Sequence, residues 1–263
     1  MKIFLSSLEN NTARLPELGS MRYNLISYYY GRQEEARVRS IIQNSRYILI
    51  DSGAHTFQKG CHVNWDAYTL EYSRWIVEHD CDKILGYFEM DVDNVIGYPR
   101  VMELRRMLEK VTDKIIPVWH RNRGILDFQQ MCQQYRGRII AITGFRNEDI
   151  RDDQYLYFLK YAWSYGCRVH CLGMTRKKIL DKVPFDYVDS STWTQSVLYG
   201  RLDGRKLRNA ETVEERRAMR QRQWEASYRS AMKIQEYYEQ RWILPTRKMK
   251  QSLIRAEGNK SEQ

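Results

Sequence analysis

Eight short apolar runs, separated by amphipathic stretches of helical spacing, leave this 263-residue chain few folds to choose from. The runs are "KIFLS" (2–6), "YNLISYYY" (23–30), "YILID" (47–51), "ILGYFEMD" (84–91), "KIIPVW" (114–119), "RIIAITG" (138–144), "RVHCLG" (168–173) and "FDYVD" (185–189). Between many of them lie segments such as "WDAYTLEYSRWIVEH" and "RVMELRRMLEKV". Apolar residues recur there at helical spacing, as at Tyr68, Tyr72, Trp75 and Ile76. Gly137 and Gly166 close two such segments, as helix C-termini favour. Near-continuous apolar strands alternating with helices predict a parallel sheet covered on both faces. Eight strands within about 200 residues predict an α/β fold of the (β/α)8 TIM-barrel type. An open doubly wound sheet is the competitor, and the absence of a G-x-G-x-x-G after the first run weakens its dinucleotide-binding form.

At 43% apolar the chain can bury one sizeable core. No run has the length of a membrane helix, and "MKIFLSSLENN" is too short in apolar residues for a signal peptide. Five irregularly spaced cysteines (61, 81, 132, 167, 171) suit a reduced, cytoplasmic protein. Charge is unevenly spread. Residues 201–263 hold 16 Lys and Arg against 9 Asp and Glu, whereas the first 200 hold 27 against 24. A basic appendage on a near-neutral body suits phosphate backbones, with a solvated helix face as the plain alternative.

The stretch from Ala210 to about 245 has no Gly or Pro for over thirty residues and predicts one long C-terminal basic helix. Trp224, Tyr228, Ala231 and Met232 would dock it on the barrel. The expected domains are therefore a barrel over 1–209, this helix over 210–245, and a flexible basic tail over 246–263.

In a barrel of this kind the site lies at the C-terminal strand ends. Those ends carry Asp51, Asp91 with Asp93, Trp119 with His120, Gly144, Leu172 with Gly173, and Asp189. Asp51 can simply cap its turn. Three strands ending in acid, however, gather carboxylates that repel one another, a cost that favours a site. Two separated carboxylates suit chemistry at a sugar anomeric carbon, one attacking and one moving protons. His55, His120 and His170 offer a rival metal set for a barrel hydrolase. Cys167, Val169 and Cys171 alternate away from His170 and read as core. Trp119 either stacks on a base or fills the barrel mouth.

Several of these stretches together carry a resemblance. "IDSGAHTF" resembles the D-S-G-G/S-F-Q motif of the tRNA-guanine transglycosylase family, and "HCLGMT" its H-L-x-G-x-G strand end. "FDYVDSSTW", followed by Tyr199, Gly200 and Arg201, resembles its F-D-S-A-S-Y segment, with "IIPVWH" and "IAITGF" at its V-Q-G and A-x-G-G strand ends. The match spans roughly residues 45 to 205. The resemblance implies an α/β barrel that exchanges guanine in a nucleic acid for a free 7-deazaguanine base, without a cofactor or a catalytic metal. It implies Asp189 as nucleophile, with Asp186 as rival, and Asp51 as general acid/base. It also implies a base pocket of Ser52, Gly53, Asp91, Asp93, Trp119, His120, Gly144 and Gly173. The family's zinc cysteines are missing, since no cysteine follows Cys171. That absence and the short ends resemble the superfamily's DNA-modifying branch, making DNA the expected partner and tRNA the alternative. Arg201, Arg205, Arg216 and Arg220 would hold its backbone. A barrel that only binds nucleic acid is the third possibility.

Overall fold

The structure, a computed structural model, describes residues 1–9, 21–57, 63–143, 150–198, 201–202, 205–206 and 212–261. The predicted runs become nine short strands: β1 (Lys2–Leu5), β2 (Met21–Ser27), β3 (Ser45–Asp51), β4 (Ile84–Phe88), β5 (Ile115–Ile116), β6 (Val118–Trp119), β7 (Ile139–Thr143), β8 (Arg168–Leu172) and β9 (Tyr187–Ser190). Helices between them include α1 (Tyr28–Gly31), α2 (Glu35–Asn44), α3 (Trp65–His79), α4 (Asp93–Ile96), α5 (Tyr98–Glu109), α6 (Gly124–Gln134), α7 (Tyr155–Ser164), α8 (Lys177–Leu180) and α9 (Gln195–Leu198). A small antiparallel pair, β10 (Arg201–Leu202) with β11 (Arg205–Lys206), precedes the long helix α10 (Val213–Ser261).

All nine strands pair in parallel in the order β5-β4-β3-β2-β1-β9-β8-β7-β6. The two ends of that order are consecutive in the chain, separated only by Pro117. β5 pairs with β4 and β6 with β7, so one proline-broken stave turns the ladder into a parallel barrel of TIM type. Pro117 has no N–H to give, and its carbonyl accepts from Ala141 at 2.9 Å. On the β4 side the Val118 N–H donates at 2.5 Å to the buried Glu89 carboxylate, which stands in for a strand carbonyl. Arg105 from α5 balances Glu89 at 2.5 Å, both side chains being at most 5% exposed. The closure therefore rests on a buried ion pair whose half-removal is costly.

Strand alternation divides the core in two. Phe4, Leu25, Leu49, Phe88, Ile116 and Ala141 fill the barrel interior. Ile48, Ile50, Ile115, Ile140, Val169 and Cys171 face the helices. A second device seals the β1–β2 seam, where a single register pair, Leu5 with Asn24, contrasts with six between β2 and β3. The wholly buried Gln235 of α10 donates its amide at 2.7 Å to the Ile3 carbonyl and at 2.7 Å to that of Tyr23. It thereby supplies partners that the splayed strands do not give each other.

Trp224, Tyr228 and Ala231 are buried against the barrel and Met232 packs beside them, as their helical spacing predicts. Trp193, just past β9, meets the rings of Trp224 and Tyr228. The helix then descends the barrel wall to Glu239, which takes the Tyr23 hydroxyl at 2.5 Å and Arg22 at 2.7 Å near the strand N-termini. The segment after 245 was expected as a loose tail; it is helical through Pro245 to Ser261. Packing outweighs the missing proline N–H there. Trp242, Met249 and Leu253 lie on the core, and Trp242 donates to the Leu180 carbonyl at 2.9 Å. No described helix is long and apolar enough to cross a membrane.

Candidate active site

The upper rim of the barrel gathers the acids that the strand ends announced. Asp51 closes β3, and its Oδ2 accepts the Gly53 N–H at 3.1 Å, so the turn-capping role is real. Gly53 has φ +73°, and a Cβ there would lie 2.3 Å from the Tyr29 Cβ, so only glycine lets this turn fold. The cap is one backbone hydrogen bond on a half-buried carboxyl. Burial, followed by the charges of Asp189 and Asp91, pushes Asp51 up to about 7. Those two charges register at Asp51 because β3, β4 and β9 deliver their ends to one mouth.

Asp189 lies two residues into β9 and is held differently. Its Oδ1 accepts from His170 Nε2 at 2.9 Å and from the Gly173 N–H at 2.8 Å. Gly173 supplies that N–H from a left-handed turn at φ +59°. The rival Asp186 sits at the opposite end of the same strand. It accepts from Trp163 Nε1 at 2.7 Å, the Val169 N–H at 2.9 Å and Lys250 Nζ at 2.5 Å. Its position and its three donors make Asp186 a structural anchor away from the rim.

Asp91 and Asp93 approach the rim beyond β4, and His120 follows β6. His120 Nε2 lies 2.5 Å from Asp91 and 4.0 Å from Asp93. Burial pulls His120 down, but the hydrogen bond and charge of Asp91, with Asp93 behind it, hold it above its ordinary value. One ligand atom from each of these three residues lies within 4.8 Å of the others, a spacing that suits a cation. His55 is exposed and His170 is buried inside the barrel, so the predicted three-histidine metal set is not assembled.

Two expected pocket residues are corrected. Trp119 is 1% exposed and packs outward on Phe128 and Phe158, because alternation turns Val118 inward and Trp119 toward the helices. Ser52 turns its hydroxyl to the Glu89 carbonyl at 2.8 Å, tying the β3 end to the β4 end rather than lining the mouth. Gly144 and the side chains of Arg201 and Arg205 lie outside the described residues. Arg216 and Arg220 are exposed on the first turns of α10.

Sequence reading missed Glu9 at the rim and gave His170 no role beyond a metal candidate. Glu9, beyond β1, is 3% exposed; its Oε1 accepts the Ser27 N–H at 3.3 Å, and its Oε2 has no partner among the described residues. Burial is the main cause that pushes it up to about 7, and the charge of Asp51 adds to it. Nothing in "SSLEN" marks Glu9 as functional. His170 carried a signal, since alternation already set it opposite the core cysteines and therefore inside the barrel.

Set against known protein families, curated proteins and solved structures, the chain matches none of them.

Proposed function

We propose that this protein is a base-exchanging transglycosylase acting on guanine in a nucleic acid through a covalent aspartyl-glycosyl intermediate. The observation that carries the reading is the contrast between two rim carboxylates. Asp189 accepts two hydrogen bonds, both on Oδ1, from His170 and the Gly173 amide. Asp51 is half-buried, has one backbone donor, and is pushed up to about 7 by desolvation and the neighbouring acids. Carboxyls whose surroundings divide them in this way serve as nucleophile and as acid/base. The motif resemblance adds the substrate: guanine leaving, a 7-deazaguanine entering.

In the first half, an Asp189 oxygen bonds to C1′ as the C1′–N bond breaks. The electron pair leaves with guanine, which takes a proton from Asp51. In the second half, the incoming base attacks C1′ and returns its proton to Asp51, and the electron pair of the ester bond goes back to Asp189. The Asp91–His120 pair is suited to read purine ring N–H and carbonyl edges. DNA is the proposed partner. Arg217 and Arg220 stand seven and four residues before Trp224, so they extend the docking face of α10 past Trp193 at the rim. There, with the exposed Arg216, they can meet phosphates. A duplex base would have to be flipped out.

The test is incorporation of labelled guanine into DNA and, separately, into tRNA, with Asp189→Ala and Asp51→Asn alongside. Incorporation into DNA lost in both variants supports the reading; incorporation into tRNA alone moves the partner. Absence of incorporation into either overturns it. The Asp91, Asp93 and His120 spacing favours a second reading, a metal-dependent barrel hydrolase in which these three hold the ion. Stoichiometric metal in the purified protein, lost in Asp93→Asn, would favour that reading.

A further inference from the structure

Among the described residues, the two donors that reach Asp189 fall on the same oxygen. His170 Nε2 and the Gly173 N–H converge on Oδ1, at 2.9 and 2.8 Å. His170 is wholly buried in the barrel interior, its ring edge-on to Phe88 at 5.0 Å and 6.4 Å from Phe4. Its Nδ1 has no hydrogen-bond partner among the described residues. Asp189 Oδ1 already accepts the Gly173 N–H, so the bond to His170 assigns the hydrogen to Nε2. A buried imidazole with one nitrogen unpartnered is a costly way to fill an apolar interior. Its one polar contact among the described residues is Asp189.

We propose that His170 and the Gly173 amide form a two-donor cradle on Asp189 Oδ1 that leaves Oδ2 as the attacking oxygen and speeds release of the sugar from Asp189. This rests on the base-exchange reading above. When Oδ2 bonds to C1′, Oδ1 becomes the carbonyl oxygen of a neutral ester, and the two hydrogen bonds weaken. When the incoming base attacks C1′, the C1′–Oδ2 bond breaks and its electron pair returns to the carboxylate. The negative charge that reappears is shared with Oδ1, where both donors wait. The cradle therefore favours the second half of the exchange and slightly restrains the first. His170 is a positioning residue: it acts through Asp189 and does not touch the sugar.

His170→Phe removes the donor while matching the aromatic surroundings, and His170→Gln restores an N–H. The assay uses a guanine-containing oligodeoxynucleotide and, in parallel, a tRNA transcript. The covalent protein–nucleic acid adduct is quantified on denaturing gels as it forms, and again as it decays after a chase with free guanine. For His170→Phe the adduct should decay about ten- to a hundredfold more slowly, the usual worth of a hydrogen bond to a charged group. Its formation should change far less, so adduct accumulates, and His170→Gln should recover most of the decay rate. Decay at the wild-type rate in His170→Phe overturns the inference. Equal slowing of both halves with a lowered unfolding temperature overturns it too, since that marks a merely structural histidine. Wild-type protein that forms no adduct and exchanges no guanine overturns the base-exchange reading and the cradle with it, a result distinct from the other two.

Discussion

Asp186 and Asp189 stand three residues apart at opposite ends of one barrel strand, and the protein treats them as different groups. Asp186 has an indole, a backbone amide and an ammonium as donors. Glu239, near the same end, is satisfied by Arg22 and Tyr23. At the rim, Asp51 has one backbone donor, Glu9 keeps an oxygen without a partner among the described residues, and both are pushed up to about 7. One end of the barrel neutralises its acids and gains order. The other leaves them incompletely matched, which costs stability and keeps protons available near neutral pH.

The sharpest break of this comparison exchanges the two aspartates as targets. Asp189→Ala should lower labelled-guanine exchange by its folded fraction at least about 10³-fold, with an unfolding cost of about 1–3 kcal/mol because His170 Nε2 and the Gly173 N–H lose their acceptor. Asp186→Ala should spare the exchange and cost stability alone. Denaturant unfolding should show a loss of about 2–4 kcal/mol, because Lys250, Trp163 and the Val169 amide lose their acceptor, while the folded fraction keeps its exchange rate. Equal effects of the two substitutions would dissolve the distinction.

Next in size is the seam. Gln235→Leu should cost about 2–4 kcal/mol in the same measurement, since two buried carbonyls lose their donor. Faster hydrogen exchange at the β1 and β2 amides would locate the damage. A neutral result would mean that the strands pair directly once the glutamine is gone.

The pH dependence is smaller but more telling. Asp51 must be protonated to release guanine, so kcat/KM for the nucleic acid should fall as pH rises through about 7. A flat profile between pH 6 and 8 would remove Asp51 from that role. Stability carries the same sign. Asp51 and Glu9 hold their protons more tightly folded than unfolded, so their contribution is fullest below the ordinary carboxylate range. It is lost as pH rises from about 4 to 7. Thermal unfolding of Asp51→Asn across that window should lose less than wild type does.

The smallest effect concerns the overhanging arginines. Arg216→Ala or Arg220→Ala should each reduce the salt slope of DNA binding by about one while leaving exchange at saturating DNA intact. An unchanged slope in both would leave those cations as a solvated face.

Much of the fold was legible because burial on both faces writes long apolar runs, and runs of that length followed by helical spacing have few parallel arrangements. Each of the eight runs holds a strand, although Tyr28–Tyr30 of the second turned helical and the fifth split at Pro117 into β5 and β6, and the rim acids followed from reading the run ends. The docking face of α10 was legible for the same reason, since Trp224, Tyr228 and Ala231 share a helical stripe. Trp119 misled because its neighbours in sequence are rim residues, whereas its side is set by alternation around Pro117.

What the sequence determined by itself is therefore local and periodic: which segments extend, which coil, and that acids follow several strands. Tertiary structure alone decided which groups meet. It joined β5 and β6 into one stave, brought Glu89 to an amide that proline had left without a regular partner, and drove Gln235 into a seam formed by strands more than two hundred residues away. It also sent Asp186 and Asp189 to opposite ends of the barrel and set Glu9 against Asp51. Desolvation and charge coupling depend on distance in space, and a carboxylate's neighbours along the chain do not record it.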